Sequence, residues 1–118
     1  GFYYIVDRKK DMIVTGGFNV FCTEVEAAVT EIAGVHECAA IGIPDEKWGE
    51  AVTVLVVADR AQGPDAEEII VHCKARLGSV KAPKHVFFRD ALPRTAVGKF
   101  DKKAMRAEFW GDSERAVN

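Results

Sequence analysis

The segment AVTVLVVAD, residues 51–59, restricts the fold more than any other part of the sequence. Nearly every side chain in it is apolar. A strand that is buried on both faces has this composition, whereas a strand with one solvated face alternates apolar and polar residues. We therefore place this segment at the centre of a sheet.

Four further segments have the composition of strands, namely residues 2–6, 12–15, 35–45 and 85–90. The charged stretch DRKKD, residues 7–11, predicts a turn that joins the first two into a hairpin. Gly16 and Gly17 then interrupt the strand pattern.

Three segments predict helices: one that begins at Thr23, one within residues 61–78 and one over residues 102–110. The first two have the spacing of a capping box, Thr23 with Glu26 and Asp65 with Glu68, and each ends at a glycine. Asp101 can cap the third. The polar tail that follows, residues 111–118, is expected to fray.

The resulting order, β-β-α-β-β-α-β-loop-α, predicts one α+β domain over residues 1–118. Its small mixed sheet carries an N-terminal β-hairpin and about three packed helices. Because the sequence opens abruptly in a strand, we expect it to be cut from a longer chain.

Composition excludes several classes of function. The net charge is -2, which argues against a general nucleic-acid or membrane-surface binder, and no apolar run approaches the roughly 18 residues of a membrane span. No export signal is visible, so a cytoplasmic location is expected. The three cysteines lie far apart without a CxxC pair, which predicts reduced thiols and no metal site.

The segment LPRTAVGKFDKK, residues 92–103, contains Lys99, the charged residue that most strongly indicates a function. It is not a phosphate-binding P-loop, because Pro93 stands where that motif needs glycine and Phe100 where it needs Ser or Thr. What remains is Arg94, Thr95, Gly98 and Lys99 on a segment that we expect to be mobile. An ammonium group on so long a side chain can meet two anions at once, such as a carboxylate and a phosphate. A solvated surface lysine is the alternative.

Two other features are open to similar alternatives. Arg8 and Lys10 lie in the charged turn, and most charged turns are simply solvated. Gly16 and Gly17 fit ordinary loop geometry, but they could also let an elongated ligand lie against bare backbone. No Ser-His-Asp or Cys-His constellation is apparent among the scattered histidines.

Four stretches taken together resemble one family. GFYYIVDRKKDMIVTGGFNVFCTEVEAAV, IPDEKWGEAVTVLVV, VKAPKHVFF and LPRTAVGKFDKK are similar, in order, to the C-terminal domain of the adenylate-forming superfamily. This superfamily includes acyl- and aryl-CoA synthetases, adenylation domains of peptide synthetases and firefly-type luciferases. DRKKDMIVTGG with PDEKWGE most resembles a fatty-acyl-CoA synthetase.

The resemblance implies the lid domain of an ATP-dependent, AMP-forming acyl-CoA ligase. Its partner is a large N-terminal domain of the same chain, without which the lid is expected to be inactive. The carboxylate of the substrate attacks the α-phosphate of ATP to give an acyl-adenylate and pyrophosphate. The CoA thiol then attacks the activated carbonyl, which forms the thioester and expels AMP. ATP and CoA are thus co-substrates, and Mg²⁺ is expected with ATP in the full enzyme but not on this domain.

The resemblance also assigns roles to single residues. Lys99 matches the catalytic lysine of the adenylation step, and Arg8 matches an arginine that helps hold the nucleotide ribose. Lys10 matches the hinge residue, and residues 1–10 are the strand and turn next to the hinge. Gly16 and Gly17 match glycines that line the pantetheine tunnel after the lid rotates.

Two further functions stay open at this point. An adenylation domain could load a carrier-protein phosphopantetheine instead of free CoA. A non-catalytic interaction module could also keep the same fold.

Overall fold

The computed structural model describes residues 12–59 and 61–117, with side chains as far as residue 110. Within these ranges the strands are β1 Met12–Thr15, β2 Phe18–Phe21, β3 Val35–Asp45, β4 Gly49–Ala58 and β5 His85–Phe88. The helices are α1 Cys22–Thr30, α2 Ala66–Leu77 and α3 Lys102–Val117. The predicted α+β class, with a mixed sheet and three helices, is confirmed.

Strand β4 lies at the centre of the sheet, as its composition predicts. β3 pairs antiparallel along one edge of β4. On the other edge, β5 runs parallel to residues 53–56, and β1 meets β4 where Thr15 pairs with Gly49. β2 extends the sheet beyond β1.

The sheet is covered on both faces because successive strand residues point to opposite sides. One face packs against α1 and α2 through residues that include Cys38, Ala40, Val52, Val54 and Val56. The other face packs against Met105 of α3 through residues that include Ala39, Ile41, Ala51 and Leu55. Residues 51–56 are therefore fully buried.

The hairpin in the described residues is not the one that the sequence suggests. β1 turns at Gly16 and Gly17 and pairs with β2, a four-residue strand that the sequence pattern did not reveal. The expected partner strand, residues 2–6, lies outside the described residues.

The predicted capping box at Thr23 and Glu26 is wrong. The Glu24 carboxylate instead accepts the backbone N–H of Phe21 at 3.2 Å, so the cap lies two residues earlier in the chain. Glu26 is drawn to a long-range partner, since its carboxylate accepts the Ala40 N–H of β3 at 2.9 Å. A buried strand N–H without a partner would be costly, which explains the exchange of roles.

The other two caps follow the sequence. Asp65 and Glu68 form a reciprocal capping box at the start of α2, with N···O distances of 2.8 and 3.1 Å. The Asp101 carboxylate accepts the Ala104 N–H at 3.0 Å in the first turn of α3. The backbone of α3 continues to Val117, and the fraying of this tail stays a prediction.

Candidate active-site loops at the two ends of the sheet

Lys99 lies in a closed hairpin. The Thr95 N–H donates to the Lys99 carbonyl at 2.7 Å, and the Gly98 N–H donates to the Thr95 carbonyl at 2.9 Å. Gly98 has φ +89°, the left-handed position that a three-residue hairpin loop reserves for glycine. The glycine therefore serves a hydrogen-bonded turn, and the mobility expected for this segment stays a prediction.

The side chain of Lys99 is exposed. Among the residues whose side chains are described, none forms an ion pair with its ammonium group. Its neighbour Val97, at the tip of the hairpin, is 80% exposed. The ammonium group is thus free to meet an anion carried by another body.

Arg94 fastens this hairpin to the sheet. Its Nη1 donates to the Gly98 carbonyl at 2.8 Å, and its Nη2 donates to the Glu37 carboxylate at 2.7 Å. The guanidinium carbon also lies 4.5 Å from the ring centroid of Phe100. The Arg94 side chain therefore connects three parts of the structure: the turn at Gly98, the base of the hairpin at Phe100 and strand β3 at Glu37.

The second loop is the glycine pair between β1 and β2. Gly16 and Gly17 have φ +58° and +84°, so both occupy the left-handed region that a two-residue hairpin turn needs. Their surroundings differ. A Cβ at Gly16 would lie 2.7 Å from the indole of Trp48, whereas a Cβ at Gly17 would meet no atom within 4 Å.

Trp48 is the residue at this end of the sheet that sequence reasoning left without a role. The Gly16 N–H donates to its carbonyl oxygen at 2.8 Å. The Nζ atoms of Lys47 and Lys84 lie 5.1 and 5.7 Å from its ring centroid, within reach of cation–π attraction. The pKa of Lys84 lies below its ordinary value, chiefly because burial disfavours the charged form and also because Lys74 is near.

The two loops lie at opposite ends of the sheet. Arg94 ties the Lys99 hairpin to Glu37, near the start of β3, whereas Gly16 is hydrogen-bonded to the turn that follows Asp45. The step from Glu37 to Asp45 spans about 26 Å at the rise of an extended strand. The structure thus does not bring Lys99 and the glycine pair together.

Arg8 and Lys10, the other predicted site residues, lie outside the described residues. In the part of the chain that the structure describes, no three His, Cys, Asp or Glu side chains are grouped so that they could hold a metal ion. No helix of that same part is both long and apolar enough to cross a membrane.

Comparison with protein families gives the affiliation. The AMP-binding enzyme C-terminal domain family matches residues 24–99, well over half of the sequence. The chain belongs to this family. Lys99 is the last residue of the matched range, and the glycine pair precedes it.

Several ligases contain a region that is similar in sequence to this chain. A medium/long-chain-fatty-acid–CoA ligase of Mycobacterium tuberculosis, FadD8, is 55% identical over 124 residues, covering 99% of this chain and 22% of that protein. The fatty acid–acyl-carrier-protein ligase ScoC of Streptomyces coeruleorubidus is 40% identical over 118 residues, covering 100% of this chain and 23% of ScoC.

A solved structure agrees with these sequence matches. A fatty acyl CoA synthetase of Mycobacterium tuberculosis superposes with a TM-score of 0.81 and 42% identity, covering 87% of this chain and 20% of that one. The chain thus spans about a fifth of the length of the relatives that it matches.

Proposed function

We propose that this chain is the lid domain of an ATP-dependent, AMP-forming acyl-CoA ligase that acts on a fatty or related carboxylic acid. It offers Lys99 to the adenylation step and the Gly16–Gly17 turn to the thioester step. The active site that receives them lies on a large N-terminal domain of the same protein, and the cytoplasm is the expected location. The isolated domain is expected to be inactive.

The observation that carries this proposal is the separation of the two loops. Lys99 and the glycine pair are exposed at opposite ends of one sheet. The Lys99 hairpin is bonded to this sheet through Glu37, and the glycine pair through Trp48. A neighbouring active site can therefore meet one loop or the other, but not both at once. A domain that rotates between the two steps satisfies this geometry.

Lys99 fits the adenylation step by its charge. A carboxylate and the α-phosphate of ATP repel each other as they approach, and an ammonium group between them stabilises the negative charge of the transition state. No described side chain neutralises the Lys99 ammonium group beforehand. Its full charge is thus available when the lid closes.

The glycine pair fits the thioester step by its lack of side chains. No atom lies within 4 Å of the place where a Cβ would stand at Gly17, so this backbone can border a narrow passage. The pantetheine arm of CoA is an elongated ligand of the kind that such a passage admits. Trp48 holds the turn in place on the side of Gly16, whose N–H donates to the Trp48 carbonyl.

Arg8 and Lys10 complete the proposal. Arg8 holds the nucleotide ribose, and Lys10 is the hinge whose backbone rotation exchanges the two loops. ATP and CoA are co-substrates, with Mg²⁺ accompanying ATP on the N-terminal domain.

A pair of variants of the full-length ligase tests the division of labour. Lys99→Met should lower the rate of adenylate formation by about 10² to 10³, the usual effect of removing one electrostatic donor. It should leave thioester formation from supplied acyl-adenylate close to normal. Equal loss in both half-reactions would refute the assignment.

Gly17→Leu should do the reverse, and Gly17→Ala is its matched control. Both replacements put an L-residue at φ +84°, so they share the backbone strain and differ only in side-chain size. Thioester formation should therefore fall much further with leucine than with alanine. Equal effects would mean that the turn does not border the thiol's path.

A carrier protein is the second candidate acceptor, because ScoC is named for a carrier-protein substrate and matches the whole of this chain. The phosphopantetheine thiol is the same in both acceptors. Comparing the rates with free CoA and with loaded carrier protein decides between them.

A further inference from the structure

We propose that Arg94 is a positioning residue that holds the Lys99 hairpin in the shape needed for adenylation. This inference rests on the proposed function, since it concerns how Lys99 reaches its place. Arg94 itself would touch neither substrate. It would act through the backbone that presents the lysine.

The geometry of the hairpin supports this role. The residue before Lys99 is Gly98, and its carbonyl oxygen accepts from Nη1 of Arg94 at 2.8 Å. This carbonyl belongs to the peptide bond that leads into Lys99. A bond to it fixes the direction in which the lysine leaves the turn.

The other contacts of Arg94 anchor the hairpin to the rest of the domain. Glu37 belongs to β3, where it pairs with Val57 of the central strand, so its carboxylate is anchored to the sheet. Phe100 packs against the α3 side of the core, and the guanidinium group lies over its ring. These contacts fix the position of the hairpin relative to both the sheet and the following helix α3.

Arg94 contributes little to the stability of the whole fold. The side chains of Arg94 and Glu37 are 45% and 32% exposed, and pairs this exposed add little free energy in water. The consequence of losing Arg94 should therefore be local. It should alter the hairpin and leave the core intact.

Lysine cannot replace Arg94 fully. A guanidinium group donates in two directions at once and stacks on a ring, whereas an ammonium group is a single point charge. Arg94→Lys should keep either the Glu37 contact or the Gly98 contact. An intermediate effect is expected.

The first measurement reads the hairpin without any enzyme assay. Amide hydrogen exchange of the 118-residue chain should show protection of the Thr95 and Gly98 N–H groups, which are hydrogen-bonded within the turn. Arg94→Met should abolish that protection and leave the core strands protected. Unchanged protection of Thr95 and Gly98 would overturn the proposal.

The second measurement uses the full-length ligase. Arg94→Met should slow adenylate formation about 10- to 100-fold, as expected when a reacting group is misplaced by roughly 1 Å. The KM values for ATP and acid should stay unchanged, and so should the thioester step. A higher KM at a normal rate constant would mean that Arg94 binds substrate itself, which would refute a positioning role.

Arg76→Met is the matched control. Arg76 also binds a carboxylate, that of Glu31, at 2.7 Å on the surface, but it lies on α2 away from the hairpin. Its loss should change neither the exchange of Thr95 nor adenylation. An equal loss of activity would attribute the Arg94 effect to general damage and overturn the inference.

A double variant separates this inference from the proposed function. If Arg94 acts only through Lys99, then Arg94→Met should cause no further loss in a Lys99→Met background. A further loss would overturn the positioning role. If Lys99→Met alone left adenylation intact, the proposed function would be wrong, while hydrogen exchange would still decide whether Arg94 holds the hairpin.

Discussion

Gly16 and Trp48 are in direct contact, through a 2.8 Å hydrogen bond between their backbones and through the indole ring that fills the space beside Gly16. An alanine Cβ at Gly16 would lie 2.7 Å from Cε3 of that ring, closer than such atoms approach. The residue is also at φ +58°, where L-residues are strained. The turn and the tryptophan thus constrain each other.

Gly16→Ala should lower the free energy of unfolding by more than the strain of about 1–2 kcal/mol expected for the backbone alone. Gly17→Ala is the control, because it carries the strain without any neighbour within 4 Å. Urea denaturation followed by circular dichroism measures both. Equal losses would mean that the indole of Trp48 moves aside at no cost.

Glu26 should stabilise β3 along the edge that faces away from β4. Its carboxylate accepts the N–H of Ala40 at 2.9 Å and lies 2.6 Å from Nζ of Lys102. Glu26→Ala leaves a buried donor unsatisfied and should cost about 1–3 kcal/mol of unfolding free energy. Glu26→Gln keeps an acceptor oxygen and should cost less. An alanine variant as stable as the glutamine variant would contradict this account.

The three cysteines should be inert in the folded chain. Burial raises the pKa of Cys38 to about 12, with the Glu26 charge adding to the effect, and burial raises that of Cys73 to about 11. Cys22 is likewise buried. A chromogenic disulfide reagent at pH 8 should therefore titrate the thiols only after denaturant is added. Rapid, stoichiometric labelling of the native chain would contradict the packing described.

Stability should depend weakly on pH through Glu31, because its ion pair with Arg76 is exposed to water. Hydrogen bonds from Arg76 and then His72 lower the pKa of its carboxyl from 4.5 to about 2. Because the folded pKa is the lower one, the contribution is complete above about pH 4.5 and is lost as the pH falls towards 2. The difference in melting temperature between wild type and Glu31→Gln should shrink over that interval, and also in high salt. A difference that stayed constant would contradict the prediction.

Periodicity and composition predicted the elements whose information is local. The apolar run at residues 51–59 identified the central strand, and Asp65 with Glu68 identified the start of α2. Long-range partners decided the rest. Glu26 does not cap the helix as predicted, because its carboxylate accepts the N–H of Ala40, fourteen residues away.

The residues of the candidate site could likewise be predicted only where their information is local or matches a family motif. Lys99, Gly16 and Gly17 were identified because they match family motifs, and no local pattern would have distinguished Lys99 from a solvated lysine. Arg94 was visible only as a charged neighbour, since its significance depends on Glu37 in a distant strand. The role of Trp48 could not be predicted from the sequence, because it depends on the contact between the β3–β4 turn and the glycine pair.

The most direct test of the account is to follow the chemical accessibility of Lys99 through the two proposed steps of the full-length protein. Lysine acetylation can be read by mass spectrometry, with Lys103, an exposed lysine on the first turn of α3, as the internal reference. With ATP and an unreactive carboxylate analogue, Lys99 should become severalfold less reactive than Lys103. With a stable acyl-adenylate analogue and CoA, it should recover. Equal reactivity of Lys99 in both complexes would contradict the claim that one domain carries this lysine into the active site and then out again.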